Sequence, residues 1–459
     1  MVKKFIFIII GAIILGVPAL YNGYPLVYSD TGTYIGSGFD SYVPPDRPII
    51  YGLFVRHSSL AASLWLVILS QSLLVSYILY QVFKNFTQNI DPLKAFIITT
   101  TFLSFFTGIS WYTSQVMPDI LTSLSILSFA LLLFSNKLSI LNKTIISIIF
   151  VFTSITHNSN LLIITIIFLI FTLGFKWVIK QYNQVNTIQI KNLWLCLSLL
   201  LFSWLLLPTV HLMYGGGFSL SKSSHVFLMG RMVENGILSA FLNENCNDNK
   251  YKLCEYKDAL PNSAMNFIWG YPDSPLYKTD GWENNKAEYQ DILNKIYTTP
   301  KYLSWFISES IEATLKQLVQ HEAGSGLVAY REGSTPLTRI NMHFKDEVKE
   351  YLESLQNQSR LDFDNLNEQQ KVLIAFSLLI ILIFLITPKI ISQTSPITIS
   401  LIFFILTAIV ANAAVTGSLA NVYNRLQSRV IWLLPLLAII LLLNNYKFII
   451  NHIRLKIKQ

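Results

Sequence analysis

Apolar runs broken by short polar turns recur along the whole chain. Several approach the roughly 20 residues that a helix needs to cross about 30 Å of hydrocarbon. They predict about ten membrane helices, at roughly 4–21, 59–83, 94–111, 118–135, 143–157, 160–180, 193–213, 371–387, 396–416 and 428–446. The fold class is therefore an all-α polytopic membrane protein. Two polar stretches interrupt the pattern. The first, 21–58, joins the first two helices and contains YSDTGTYIGSGFDSYVPPDRPIIYGLFVRH from Tyr28 to His57. A plain connector could be far shorter. The second, 214–370, opens on YGGGFSLSKSSH. It carries helical patterns near 224–242, 285–297 and 299–320, and an amphipathic helix near 344–370. The chain thus divides into an N-terminal membrane module (1–213), a mostly helical polar domain (214–370) and C-terminal membrane helices (371–459).

Composition agrees with this reading. The chain is 52% hydrophobic and 13% charged, against about 25% charged in soluble domains. Its net charge of +8 does not point to nucleic acid, because the basic residues collect in short loops and tails. Their distribution sets orientation instead. With the N-terminus inside, fourteen Lys and Arg, Lys176, Lys180 and Lys458 among them, fall in inside segments. The short outside loops hold four, Arg47, Arg56, Arg425 and Arg429. Both termini are then cytoplasmic and 214–370 is extracytoplasmic. The first segment, MVKKFIFIIIGAIILGVPALY, reads as a retained signal-anchor, since Gly16-Val17-Pro18-Ala19 is a poor cleavage site.

Cysteine usage points the same way. Cys246 and Cys254 lie close together in the polar domain, without zinc-site spacing or a nearby histidine. A disulfide between them is expected, in an oxidising compartment. Cys196, in an apolar helix, reads as inert packing. Richness in Ile, Lys and Asn hints at an AT-rich bacterial genome, and so at a bacterial inner (cell) membrane.

The unusual polar residues all fall at helix ends on the outer side. Asp30, Tyr34, Asp40, Asp46, Arg47 and His57 lie in the first loop. Asp119 opens the fourth helix. His157, Asn158 and Asn160 form the SITHNSN turn, and Arg425 and Arg429 precede the tenth helix. One-sided clustering of ionisable groups around a bundle suggests a site facing that side. Each residue has a plainer reading too. Asp30 could cap a short helix, and Asp40 and Asp46 could shape turns. Arg47 could pair only with Asp46. Asp119, after Pro118, could serve the helix dipole, and His157 with Asn158 could satisfy backbone at the turn. His57 could lie in the interface. Arg425 and Arg429, four apart on one face, could snorkel. They could equally form an anion clamp, because guanidinium binds phosphate in a bidentate manner.

In this layout the chain resembles the GT-C class of integral membrane glycosyltransferases, which use polyprenyl-phosphate-linked sugars. The likeness rests on YSDTGTY in a long outer loop after the first helix and RPIIYGLF entering the second. MPDILTS at the outer start of a later helix adds to it, as does the large outer segment. The resemblance implies transfer of a sugar from a lipid-phosphate donor to a glycan, lipid or protein acceptor beside the membrane lipid. Asp30 would be general base or metal ligand, Asp119 a supporting acid, His157 a catalytic partner, and Arg425 or Arg429 the phosphate binder. Tyr34, Asp46, Arg47, His57 and Asn158 complete the expected substrate site. The first loop has no D-x-D, so a divalent metal ion at Asp30 and Asp119 stays open as the cofactor. Two other classes fit parts of the pattern: a transporter or flippase of lipid-linked saccharide, which usually places charge near mid-membrane, and a polymerase or ligase of surface glycans.

Overall fold

The computed structural model describes residues 2–88, 90–173, 188–246 and 251–457, with side chains up to residue 446. Lys176, Lys180, Lys458 and the end of the expected 160–180 helix lie outside the described residues. Every regular element among them is helical. The one β contact among the described residues is a parallel bridge between Leu26 and Gln115.

Among the described residues, five helical stretches are long and apolar enough to cross a membrane. They are Leu64–Phe86, Ile190–Met213, Asp364–Ile386, Pro396–Leu419 and Asn424–Tyr446. Ile140–Ile155 and Asn158–Leu173 pass as a sixth only together, with a bend of 120° between them. Pro92–Phe106 and Asp119–Phe134 are apolar but shorter. Local chemistry sets several starts. Ser63, Ser139 and Ser395 each accept a backbone N–H of the first turn, and Asp91 does so just ahead of Pro92, meeting donors that the helix leaves unpaired. The sharp bend falls at the polar turn of Thr156 to Asn160. There the Asn160 amide donates to the Thr153 carbonyl at 2.9 Å, covering one of the acceptors freed where the first helix ends.

Asp119–Phe134 is the central helix. All of its residues are buried, and Phe129 and Phe134 both pack on Phe404 from Pro396–Leu419. The expected 214–370 stretch contributes to two separate cores. Val226, Met229, Phe241, Tyr289, Ile292 and Tyr302 belong to one core, closed beside the Cys246–Cys254 disulfide. Ile340, Phe344 and Tyr351 belong instead to the main core of the bundle. Cys196 is a buried free thiol.

The expected continuous helix over 344–370 is broken. Val348–Glu353 ends at Ser354, and the next helix starts at Asp364. Tertiary hydrogen bonds capture the intervening backbone. Leu355 N–H donates to the Asn22 carbonyl at 2.9 Å, and Gln356 N–H to Asn22 Oδ1 at 2.8 Å. The Gln356 amide donates to the Val27 carbonyl at 2.7 Å. These bonds tie the segment to the start of the 21–58 loop.

That loop is itself mostly helical, as Thr31–Asp40 and Ile50–Ser58. The two helices pack against each other at a glycine pair. A Cβ on Gly38 would stand 2.0 Å from the Gly52 carbonyl oxygen, so only glycine permits this approach. Thr335–His343 packs on the other side of Thr31–Asp40. The loop is thereby held over the end of the bundle where Asp119–Phe134 begins, with the Thr31 hydroxyl donating to the Val116 carbonyl at 3.1 Å.

Candidate active site

Asp30 immediately precedes the Thr31–Asp40 helix, but its side chain makes no capping bond. The capping role fails because the carboxylate points elsewhere. Its Oδ2 lies 3.1 Å from Arg47 Nη1 and accepts from Arg425 Nη1 at 3.4 Å. Oδ1 has the Ser29 hydroxyl at 3.3 Å. Burial alone would raise the Asp30 carboxyl. The charges of Arg47 and Arg425 outweigh burial and hold it at about 2, below the ordinary 3.8, as adjacent guanidinium does for a carboxylate.

Asp119 opens the central helix directly after Pro118. Its Oδ1 accepts from Arg429 Nη1 at 3.4 Å and stands 4.0 Å from Arg425 Nε. Its Oδ2 is buried with no hydrogen-bond partner. Helix position and ion pairing thus act together on this one carboxylate.

Arg425 and Arg429 stand on the helix Asn424–Ile431. Their side chains are 17% and 0% exposed, so neither reaches out to an interface and the snorkelling role fails. Arg425 stacks on the Tyr28 ring at 4.1 Å, a cation–π contact. Arg429 Nη2 donates to the Ser159 hydroxyl and to Asn412 Oδ1, each at 3.2 Å. The carbonyl of Arg429 accepts from the Ser123 hydroxyl and from Trp432 Nε1. The arginine helix packs against both Asp119–Phe134 and Pro396–Leu419.

Arg47 does form the local pair with Asp46, and it also reaches Asp30. Its guanidinium lies 5.0 Å from the centre of the Tyr34 ring, which meets Tyr51 edge-on. Tyr34 is thus a buried platform under Arg47.

The remaining expected residues divide. His157 shares a 2.8 Å contact with the Ser159 hydroxyl and reaches the cluster only through that residue. Asn158 opens its helix at the same turn, with Oδ1 buried and unpartnered. His57 is exposed and bonds the Leu53 carbonyl of its own helix at 2.7 Å. Among the described residues no hydrogen bond or ion pair joins it to the cluster. Asp40 is at the far end of its helix, paired with Arg339.

Sequence reasoning missed Tyr28, Ser159 and Asn412 as members. Asn412 carried a signal, being an amide inside the apolar run IVANAAV. Gly326 was missed too. With φ +81°, its backbone presses on Tyr28, and a Cβ there would stand 1.8 Å from the ring. The loop around Gly326 thus bears on the tyrosine that supports Arg425.

The assembled site brings three guanidiniums to three carboxylates, Asp30, Asp46 and Asp119. Hydrogen bonding is incomplete. Arg429 Nε has no acceptor, and Asp119 Oδ2 and Asn158 Oδ1 have no donor. Native interiors rarely leave such groups unmatched, and a buried unpaired polar group is costly. Because the unmatched atoms include both a donor and acceptors, the pattern suits a bound group that brings acceptor oxygens to the guanidiniums and a hydroxyl that can donate in return. It does not suit a divalent cation, because guanidiniums flank both Asp30 and Asp119. No group of three or more His, Cys, Asp or Glu side chains able to hold a metal ion is found among the described residues.

The chain matches no protein-family model, no curated protein and no solved structure. What the site does must be argued from its own chemistry.

Proposed function

We propose that the protein is a membrane glycosyltransferase that moves a sugar from a polyprenyl-phosphate-linked donor to an acceptor hydroxyl or amine. The observation that carries this reading is the convergence of Arg47, Arg425 and Arg429 around Asp30 and Asp119, with the Nε–H of Arg429 left without an acceptor. Guanidiniums match phosphoryl oxygens in charge and geometry. They stabilise the negative charge that grows on the phosphate as the sugar leaves. Asp30 is the general base. Its carboxylate takes the acceptor proton while the acceptor atom bonds to the anomeric carbon. The carbon–oxygen bond to phosphate breaks, and its electron pair leaves with the polyprenyl phosphate. Asp119 holds Arg429 in place. No step runs through a metal ion.

The reading includes a GT-C-like arrangement of about ten spans in a bacterial inner membrane. The termini are cytoplasmic, and the site and the 214–370 segment face the extracytoplasmic side. Support for a one-sided site is the meeting of residues from four helix ends in one cluster. The same location disfavours a transporter, whose ion and substrate sites lie near mid-membrane.

The test is transfer by the purified full chain in lipid vesicles, with a polyprenyl-phosphate sugar as donor and release of polyprenyl phosphate as the readout. Asp30→Asn is expected to lower release by about 100-fold or more, the scale of a lost general base, with normal membrane insertion. Release at the wild-type rate would remove Asp30 from the chemistry.

A further inference from the structure

In the resting site, Asp30 occupies the arginines that the substrate needs. Both Arg47 and Arg425 converge on a single atom, Asp30 Oδ2. Its other oxygen has only the Ser29 hydroxyl, and its side chain caps nothing. The two guanidiniums are therefore the main hold on this carboxylate. Asp119 differs: its side chain is 3% exposed, whereas that of Asp30 is 24% exposed. Asp30 stands at the accessible edge of the cluster and can turn outward without opening the bundle. A carboxylate clamped this way is also a poor base, since two positive neighbours disfavour its protonation.

We propose that Asp30 is a built-in stand-in anion: a phosphoryl oxygen of the substrate displaces its Oδ2 from Arg47 and Arg425, and the displacement frees the carboxylate to act as base. The proposal rests on the phosphate-site reading above and adds an order of events to it. A phosphoryl group offers several acceptor oxygens where Asp30 commits one. It can engage Arg47 and Arg425 together and still offer an oxygen to Arg429, whose Nε now lacks an acceptor, so the exchange replaces a partial match with a fuller one. The base becomes competent only when the anion it serves is in place, and an empty site stays inert. No bond is made or broken in the exchange. A guanidinium pair passes from one oxyanion to another.

The experiment is equilibrium binding to the purified full chain of two probes, inorganic phosphate and polyprenyl monophosphate in phosphatidylcholine vesicles. Asp30→Asn keeps the shape of the side chain and removes the competitor. It is expected to bind polyprenyl monophosphate at least about fivefold tighter than wild type, because the binding-competent state no longer has to be won from a competing one. Tightening for both probes supports the exchange for phosphate in general. Tightening for the vesicle probe alone supports it with the lipid headgroup as the source. Arg425→Ala is expected to weaken binding. If Arg425→Ala weakens binding while Asp30→Asn leaves it unchanged or weaker, the exchange is wrong and the phosphate site stands. If Arg47→Ala, Arg425→Ala and Arg429→Ala all bind like wild type, the phosphate site falls and takes the exchange with it. Should the amide variant not fold, Asp30→Ser carries the same expectation. A measurement on unaltered protein is independent of both variants. Carbodiimide labelling of Asp30, read by mass spectrometry, should rise when polyprenyl monophosphate is bound, and unchanged labelling would overturn the exchange.

Discussion

The two ends of the Thr31–Asp40 helix each present an aspartate to an arginine, about 15 Å apart at 1.5 Å per residue, and they differ in kind. Asp40 meets Arg339, with His343 Nε2 at 3.8 Å. Its side chain is 40% exposed, and His343 stacks on Phe39. This is one cation per carboxylate at a surface, where water screens the pair. Asp30 meets two arginines, in a cluster that continues through Asp119 to the fully buried Arg429. Around Asp119 and Arg429 water cannot relieve mismatches, so each unpaired atom there counts. The same pair of residue types is thus a clasp between two helices at one end and a charged, under-satisfied site at the other. Enclosure makes the difference.

The sharpest way to break this contrast is to remove an arginine at each end. Arg429→Ala leaves the buried Asp119 carboxylate with only the longer, 4.0 Å contact to Arg425, and an expected loss of about 3 kcal/mol follows, read by thermal unfolding in detergent. Replacing both members, as Asp119→Leu with Arg429→Met, should recover most of that stability while transfer stays lost. A double variant as unstable as Arg429→Ala would show that the pair itself supports the fold.

A smaller effect is set by pH. The Asp30 carboxyl lies at about 2 in the folded protein, against an ordinary 3.8. A depressed folded value means that the ionised form stabilises the fold. The contribution, about 2 kcal/mol, is complete above pH 4 and is lost as pH falls toward 2. The stability gap between wild type and Asp30→Asn should therefore narrow as the pH is lowered through that range. A constant gap would place the effect of Asp30 elsewhere than in its charge.

The smallest expected effect is that of Arg339→Ala. Its partner is well exposed, so the loss should stay below about 1 kcal/mol, with transfer unchanged. A loss as large as that of Arg429→Ala would erase the distinction between the two ends.

Much of the site was legible in the chain. Asp30, Arg47, Asp119, Arg425 and Arg429 stood out because ionisable residues at the ends of apolar helices are expensive and need partners. Helix existence was legible for a related reason: apolar periodicity repeats locally and needs no knowledge of distant contacts. His57 shows the limit. It looked equivalent to its neighbours by type and position, yet it faces away along its own helix and bonds Leu53. The break between Ser354 and Asp364 shows another. The local pattern favoured a helix, and hydrogen bonds to Asn22 and Val27 prevailed.

By itself, the sequence determined that this is a helical protein built for a membrane, with a disulfide-bearing polar segment and charged residues gathered at helix ends. Those properties follow from composition and short-range period, which each segment carries alone. Only the tertiary structure decided who meets whom. Asp30 and Arg425 are separated by 395 positions, and nothing local relates them. Their meeting depends on how the helices pack, on the glycine contact that seats the first loop, and on the burial that makes an unpaired charge costly. The Tyr28–His57 loop looked like the site in the sequence. In the fold it supplies part of one, completed by a helix almost four hundred residues away.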